Sequence, residues 1–154
     1  NDFIIIINMQ ICGIGYSVVT YHKQNINELK KLKHFYTLFS NFIKNDKKYK
    51  NNRLKLIPNI ISGPKRVKKM VENRPVLIGN KIKVNYHYKM DKYLEIDLQI
   101  DSSIIAKGII KIAYGYAVNI ICNISWTIES KTIDELPELL LCSSVFHNIN
   151  FKKA

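Results

Sequence analysis

The sequence predicts an α+β domain in which a curved, mainly antiparallel sheet of about six or seven strands packs against two helices. Two observations predict this class. Several segments alternate apolar and polar residues with a period of two, as in YLEIDLQI at 93–100. Two other segments place apolar side chains at spacings of three and four, one rich in aromatic residues and one rich in isoleucine.

The first third of the chain predicts a hairpin followed by an amphipathic helix. Strands at 3–11 and 16–22 flank a glycine-containing turn. Asn25 or Asn27 caps a helix that runs to about Lys44 and carries its aromatic side chains on one face. A membrane-surface helix and a helix packed on the core both fit this pattern, and packing on the core is the commoner case.

A charged loop at 45–53 leads to a strand at 54–61, which Pro58 restricts to a sheet edge or a bulge. Ser62-Gly63-Pro64 then predicts the start of a short helix that ends near Val71. A short extended segment at 75–78 follows.

The next predicted element is a hairpin of strands at 81–88 and 93–100. Apolar side chains of the two antiparallel strands lie opposite each other when the numbers of the paired residues sum to 182 or to 180. Either register places acids opposite bases or amides, so Glu95, Asp97 and Asp101 are interpreted as the solvent face of the hairpin. The alternative is a hydrolase or transferase site built from Glu95, Asp97 and His87, which requires these groups to line one pocket.

An Ile-rich helix is predicted from about Ile104 to Tyr116, after a cap at 101–103. Its only charged residues are Lys107 and Lys111, so we expect it to be mostly buried. Strands at 120–129 and 139–149, with a turn or short helix at 132–137 between them, complete a single domain. The chain opens inside a strand without a methionine, and we expect it to be a fragment of a longer protein.

The formal net charge of +12 favours partners with negative surfaces. The basic residues are 21 Lys and 3 Arg, and this excess of Lys, together with Asn and Ile, is typical of an AT-rich genome. Arginine is the residue that reads guanines, so its scarcity argues against sequence-specific nucleic-acid binding. No apolar run reaches the ~18 residues of a transmembrane segment.

The sequence predicts an anion or lipid-headgroup site at the start of the helix after Pro64, where free N–H groups and a positive dipole end meet lysines. The alternative is a solvated helix face in a Lys-rich chain. The candidate residues are Lys65, Arg66, Lys68 and Lys69 on the helix and Lys47, Lys48, Lys50 and Arg53 from the preceding loop.

We expect no catalytic residues, no metal site and no cofactor. The histidines are isolated in sequence, and their spacing is not that of metal ligands. Cys12, Cys122 and Cys142 are odd in number and lie among apolar residues, which predicts buried free thiols in a reducing, cytoplasmic compartment.

A series of short motifs runs in a fixed order along the chain: Leu54–Pro58, Gly63–Pro64, Arg74–Gly79, Tyr93–Ile100, Ser102–Ala106, Gly115–Tyr116 and Glu135–Glu138. The series resembles the C-terminal domain of the plant Enhanced Disease Resistance 2 protein, a plant and protist family of unknown function. The family's usual Trp and aliphatic residue after Gly-Pro are Lys65 and Arg66 here, and Gln99 replaces one acid.

The resemblance implies work at membranes, because the plant relatives often carry this domain after lipid-binding pleckstrin-homology and START-type domains. It supplies no established catalytic residues. We therefore predict a non-catalytic, lipid-associated module, peripheral on a membrane, with anionic lipid or phosphoinositide as partner. The alternative is a protein-interaction domain that docks on other domains of its own chain or on protein partners.

Overall fold

The computed structural model describes residues 2–71 and 74–151, and this part of the chain contains eight strands and five helices. The strands are β1 (Asp2–Ile11), β2 (Tyr16–Asn25), β3 (Leu54–Ser62), β4 (Val76–Leu77), β5 (Lys83–Lys89), β6 (Tyr93–Gln99), β7 (Ile121–Ile128) and β8 (Leu140–His147). The helices are α1 (Ile26–Lys31), α2 (Lys33–Lys44), α3 (Lys47–Asn51), α4 (Lys65–Val71) and α5 (Ile104–Tyr116).

The described strands form two four-stranded sheets, in the orders β2-β1-β6-β5 and β4-β3-β7-β8. All neighbours are antiparallel except β1 and β6, which run parallel. The α+β class and the mainly antiparallel pairing are thus confirmed. The prediction of one sheet of six or seven strands is corrected to two sheets with eight strands, because alternation identifies a strand but not its sheet.

A single core fills the space between the two sheets and α2. Phe3, Ile5 and Ile7 of β1 face Leu38 and Phe42 of α2, as members of one buried cluster that also includes residues of both sheets. Each of these five side chains is at most 3% exposed. The predicted amphipathic helix is therefore packed on the core, and its spacing of three and four supplies the buried face.

Two local predictions need correction. The single helix expected to run to Lys44 is broken at Leu32, whose ψ of 67° is not helical, and the break lets Leu29 and Phe35 both point into the core. The charged loop at 45–53 contains the short helix α3. Its N-cap is Asp46, whose carboxylate accepts a hydrogen bond from the Tyr49 N–H at 2.8 Å.

The Pro58 prediction is consistent with the pairing of β3. The short strand β4 pairs only with Lys55 and Leu56, so β3 has no neighbour on that side at Pro58. At Pro58, β3 is therefore an edge strand whose described partner is β7, which is the kind of position that the proline predicts.

The Ile-rich helix α5 is the main departure from the predicted fold. None of its thirteen residues is buried, and Ile104 and Ile105 are 92% and 77% exposed. Both sheets and α2 contribute buried residues to the core cluster, and none of its buried members lies on α5. Helix α5 instead packs on α4 and on the turns that flank it, so one side of an apolar helix is left facing outward.

Candidate functional site

Helix α4 begins at a turn that only glycine makes easily. Gly63 has a φ of +150°, and a Cβ there would lie 3.2 Å from the Ile120 side chain. Pro64 follows, and its carbonyl accepts the first helical bonds from the N–H groups of Val67 and Lys68. Val67 is 2% exposed and anchors the helix, which turns the basic side chains outward.

The four predicted headgroup residues of α4 are all exposed: Lys65, Arg66, Lys68 and Lys69. The Lys68 ammonium donates to the Ile61 carbonyl at 3.2 Å. Within residues 2–71 and 74–151, no salt bridge involves any of the four. Their charge is therefore available to an anion in solvent.

The second predicted group does not join them. Lys47 and Lys48 are exposed on α3, which precedes β3, whereas α4 follows the far end of that strand. Nine residues of β3 separate the two groups by roughly 25–30 Å at the usual rise of a strand. The expectation of one basic cluster is corrected to two separate sets, because β3 is extended.

Lys50 and Arg53 are used by the fold itself. Lys50 is 9% exposed and lies over the Tyr86 ring at 5.5 Å, and burial lowers the pKa of its ammonium. Arg53 is 8% exposed and stacks over the Tyr49 ring at 4.5 Å. Neither cation faces solvent in the way that a headgroup site requires.

Arg53 also belongs to a partly buried network of ion pairs that sequence reasoning missed. This network, named here the ionic clamp, consists of Arg53, Lys55, Glu129, Glu135 and Glu138. Its guanidinium donates to the Glu129 carbonyl at 2.8 Å and to the Glu135 carboxylate at 2.7 Å. The side chains of Arg53 and Glu135 are only 10% and 15% exposed. Burial raises the pKa of Glu135, but hydrogen bonds from Arg53 and from the Lys131 N–H outweigh this effect and hold it below its usual range.

Lys55 extends the clamp by one step along β3. Its ammonium contacts the carboxylates of Glu129 and Glu138, at 2.8 Å in the second case. Burial lowers the pKa of Lys55, but the two carboxylates outweigh this and raise it. The signal in the sequence was the pair of acids that flank Leu136-Pro137, together with two cations two residues apart, Arg53 just before β3 and Lys55 within it.

The carboxylates of β6 lie where the hairpin register predicts. The pairing of β5 with β6 follows the sum of 182, with His87 opposite Glu95 and Asn85 opposite Asp97. The Asp97 carboxylate accepts from the Asn8 amide at 3.0 Å and lies 3.2 Å from the His87 ring. The hairpin ends before Asp101, which instead accepts from the N–H of Gly13 at 2.7 Å.

These groups occupy the sheet face opposite the core. The His87 side chain is 56% exposed. The cavities at Leu32–Pro137 and at Tyr114–Phe151 are lined by other residues. Among the described residues, no group of three or more His, Cys, Asp or Glu side chains could hold a metal ion.

The cysteines are all free, but their burial differs from the prediction. Cys142 is buried and Cys122 is half-buried, and burial raises the pKa of Cys142 to about 12. Cys12 is exposed. The expectation of three buried thiols is wrong for Cys12 because it lies in the tight turn between β1 and β2.

A glycine in the motif Arg74–Gly79 has a clear structural reason. A Cβ at Gly79 would lie 2.4 Å from the Asn51 carbonyl oxygen, so the backbone after β4 touches the end of α3. With Gly63, this contact explains two positions of the motif series by close approach of the backbone. Any residue larger than glycine at position 79 would push α3 away from β4.

None of the described helices combines the length and the hydropathy that a transmembrane span requires. No solved structure matches the chain significantly. One relative, from Arabidopsis thaliana, is named Protein ENHANCED DISEASE RESISTANCE 2-like. It is 34% identical over 105 residues, which cover 68% of this chain and 14% of that protein.

The family model described as Protein ENHANCED DISEASE RESISTANCE 2, C-terminal, matches residues 1–150. That range includes both sheets, the ionic clamp and the exposed pair of helices α4 and α5. The chain therefore belongs to the Enhanced Disease Resistance 2 C-terminal family.

Proposed function

We propose that this domain is a non-catalytic binding and regulatory module that docks peripherally on anionic membrane surfaces at the cytoplasmic face. The membrane-facing surface, named here the α4–α5 surface, consists of Lys65, Arg66, Lys68 and Lys69 on α4 and the exposed side chains of α5. One observation carries the proposal. An apolar helix without a buried residue lies against a helix whose four cations are exposed.

The apolar part supplies the insertion energy. Ile104 and Ile105 are 92% and 77% exposed, and Tyr114 and Tyr116 are 37% and 36% exposed. An interfacial helix buries such side chains at the boundary between headgroups and acyl chains, where tyrosine is also favoured. Lys107 can lie along that boundary with its ammonium directed to the headgroups.

The basic part supplies the preference for anionic lipid. Each Lys or Arg near an anionic surface contributes roughly 1 kcal/mol of attraction, and salt screens this term over about 8–10 Å. The cations of α4 compete with no carboxylate among the described residues, so their attraction to a membrane is not offset within the domain.

We take the domain as non-catalytic because the best acid–base candidates, Glu95, Asp97 and His87, line neither the Leu32–Pro137 cavity nor the Tyr114–Phe151 cavity. General acid–base catalysis needs a positioned group that meets its substrate in a site from which bulk water is restricted. Asp97 is instead engaged by Asn8 and His87 as part of a cross-strand network.

Vesicle co-sedimentation tests the proposal. We expect binding to phosphatidylserine and phosphoinositide vesicles, weak binding to neutral phosphatidylcholine vesicles, and partial loss between low and physiological salt. Two variants of the α4–α5 surface should each lose most binding: the quadruple change of Lys65, Arg66, Lys68 and Lys69 to Gln, and the double change Ile104→Ser with Ile105→Ser.

A charge-matched control separates surface geometry from net charge. Changing four exposed lysines elsewhere removes the same charge and should leave most binding intact: Lys30, Lys33, Lys44 and Lys89 to Gln. Equal losses in both quadruple variants would show that the charge acts generically, and the assignment to α4 would then be wrong.

Protein docking is the second candidate function, favoured by the outer face of the first sheet. Tyr21 is 71% exposed and Val19 is 40% exposed on the edge strand β2, beside the half-buried Ile4 and Ile6 of β1. Such a patch fits a neighbouring domain. If the wild type and both quadruple variants are folded but bind none of the vesicles, protein docking replaces membrane docking as the proposed function.

A further inference from the structure

We infer that the C-terminal end of α5 holds the hydrocarbon chain of an anionic lipid. This inference rests on the proposed function, because it names the ligand class of the same surface. The site is a groove of about 390 Å³, named here the α5 groove, lined by Tyr114, Gly115, Val118, Ile149, Asn150 and Phe151. Its volume lies in the range of about 300–1,000 Å³ that is usual for small-molecule sites.

The aromatic floor of the groove is formed by Tyr114 and Phe151, whose rings pack on each other, and Tyr16 supports Phe151 from outside the lining. The ring centroids of Tyr114 and Phe151 are 4.9 Å apart, and those of Tyr16 and Phe151 are 5.2 Å apart. The Tyr16 hydroxyl also donates to the Phe151 carbonyl at 2.7 Å. The hydrogen bond and the ring contacts hold the floor in place before any ligand arrives, which reduces the ordering cost of binding.

The wall that α5 contributes is open because it lacks a side chain. A Cβ at Gly115 would have no atom within 4 Å, so the glycine leaves free space beside Tyr114 and Val118. Val118 is 47% exposed. A glycine in a helix interior lowers helix stability by about 1 kcal/mol relative to alanine. In return, Gly115 leaves space in the wall of the groove.

Charge selects the ligand class. Lys107, Lys111 and Gly115 follow one another at intervals of four, so they lie on one stripe of α5. The nearer lysine is about one helical turn, roughly 5–6 Å, from the groove. A ligand that fills the groove with a chain and places a phosphate or carboxylate at Lys111 satisfies both features.

A lipid chain is preferred to a peptide because the groove continues the α4–α5 surface. Along α5, the exposed isoleucines at the N-terminal end, the lysines in the middle and the groove at the C-terminal end form one amphipathic side. A membrane lipid presents the matching order of headgroup and chain in a single molecule.

Calorimetric titration with monomeric dodecyl phosphate and with laurate tests the groove, since these probes carry one chain and either a phosphate or a carboxylate. Gly115→Leu should fill the groove while improving helix propensity. Gly108→Leu is the matched control, because a Cβ at Gly108 would also meet no atom within 4 Å, but Gly108 does not line the groove.

We expect at least one probe to bind the wild type and Gly108→Leu equally, and Gly115→Leu roughly tenfold or more weakly, since several methylenes lose their site. Lys111→Gln should also weaken binding, and inorganic phosphate alone should bind far more weakly than dodecyl phosphate. The probe that binds more tightly identifies the headgroup as phosphate or carboxylate.

Equal binding of the probes by Gly115→Leu and the wild type would overturn the inference. So would the absence of probe binding by a wild-type protein that still binds anionic vesicles, and that result would leave the proposed function intact. If the α4 quadruple variant loses vesicle binding but binds the probe as the wild type does, the groove and the basic residues of α4 act separately, and both conclusions are supported.

Discussion

The two longest helices described in this domain, α2 and α5, differ in burial in the direction opposite to the one that their compositions suggest. Helix α2 contains polar residues throughout, yet five of its side chains are buried: Phe35, Leu38, Phe39, Phe42 and Ile43. Helix α5 has only two charged residues, yet none of its thirteen residues is buried. The comparison teaches that the apolar content of a helix does not decide its burial.

Arrangement and available surface decide it instead. The apolar residues of α2 share one face, which fits the inner faces of both sheets. Those of α5 are spread around the helix, so no orientation could bury them all against one neighbour. Because α2 and both sheets already form the buried core, α5 packs on α4 and the adjoining turns.

The largest expected effect on stability comes from truncating a large apolar side chain of α2 to alanine, compared with the same change in α5. Phe42→Ala should lower the free energy of unfolding by about 3–5 kcal/mol, because it leaves a cavity at a side chain that is 0% exposed. Ile105→Ala should change it by no more than about 0.5 kcal/mol. Urea unfolding followed by circular dichroism measures both. Comparable losses in the two variants would mean that α5 is covered in solution.

The arginines offer a second contrast, between the ionic clamp and the α4–α5 surface. Arg53→Gln should cost roughly 2 kcal/mol, because Arg53 is buried and its loss leaves the half-buried carboxylate of Glu135 without its charged partner. Arg66→Gln removes an exposed cation and should be nearly neutral for stability. Thermal unfolding checks both variants. A small loss for Arg53→Gln would show that the clamp contributes little to folding.

The clamp should also make stability depend on pH. The pKa of Glu135 is lowered in the folded state from its usual value of 4.5, so its stabilising contribution is fully present above that value. The contribution is lost as the pH falls through the lowered pKa. The stability difference between wild type and Glu135→Gln should therefore shrink on acidification below about pH 4.5.

Urea midpoints measured from pH 7 to pH 3 test this expectation. Glu28→Gln is the control, since Glu28 forms an exposed pair with Lys31 and its removal should have little effect at any of these pH values. A Glu135→Gln difference that stays constant over the whole range would contradict the assignment of Glu135 to a charged pair.

The smallest expected effect has the opposite sign. Gly108→Ala should stabilise the domain by about 0.5–1 kcal/mol, because an exposed glycine in a helix interior is replaced by a better helix former. Differential scanning calorimetry can detect it. Destabilisation would mean that Gly108 contacts a neighbouring surface, and the contrast between α2 and α5 would weaken.

Local patterns predicted most elements of the fold. The need to bury apolar against apolar side chains limited the pairing of β5 and β6 to sums of 182 or 180, since a shift by one residue would expose the whole row. The structure has the sum of 182, with Val84 opposite Leu98 and Tyr86 opposite Ile96. The start of α4 followed from Gly63-Pro64, because the conformations of these two residues are set by their own covalent structure.

The candidate site was only partly predictable. The cations of α4 were found from sequence, but the role of Arg53 was not, because its partner Glu135 is 82 residues away along the chain. The neighbouring sequence does not distinguish an exposed cation such as Arg66 from one that, like Arg53, pairs with a half-buried carboxylate. The distinction arises only in the folded chain, where the start of β3 lies beside the segment after β7 that carries Glu135.

The sequence by itself determined the α+β class, the alternating strands, the face that each hairpin strand buries and the basic character of α4, because each depends on side-chain periodicity or on backbone limits within a few residues. Tertiary structure alone decided the division into two sheets, the parallel contact of β1 with β6, the burial of Arg53 and the exposure of α5. These outcomes depend on which distant surfaces compete for the same core, and only the packed chain resolves that competition.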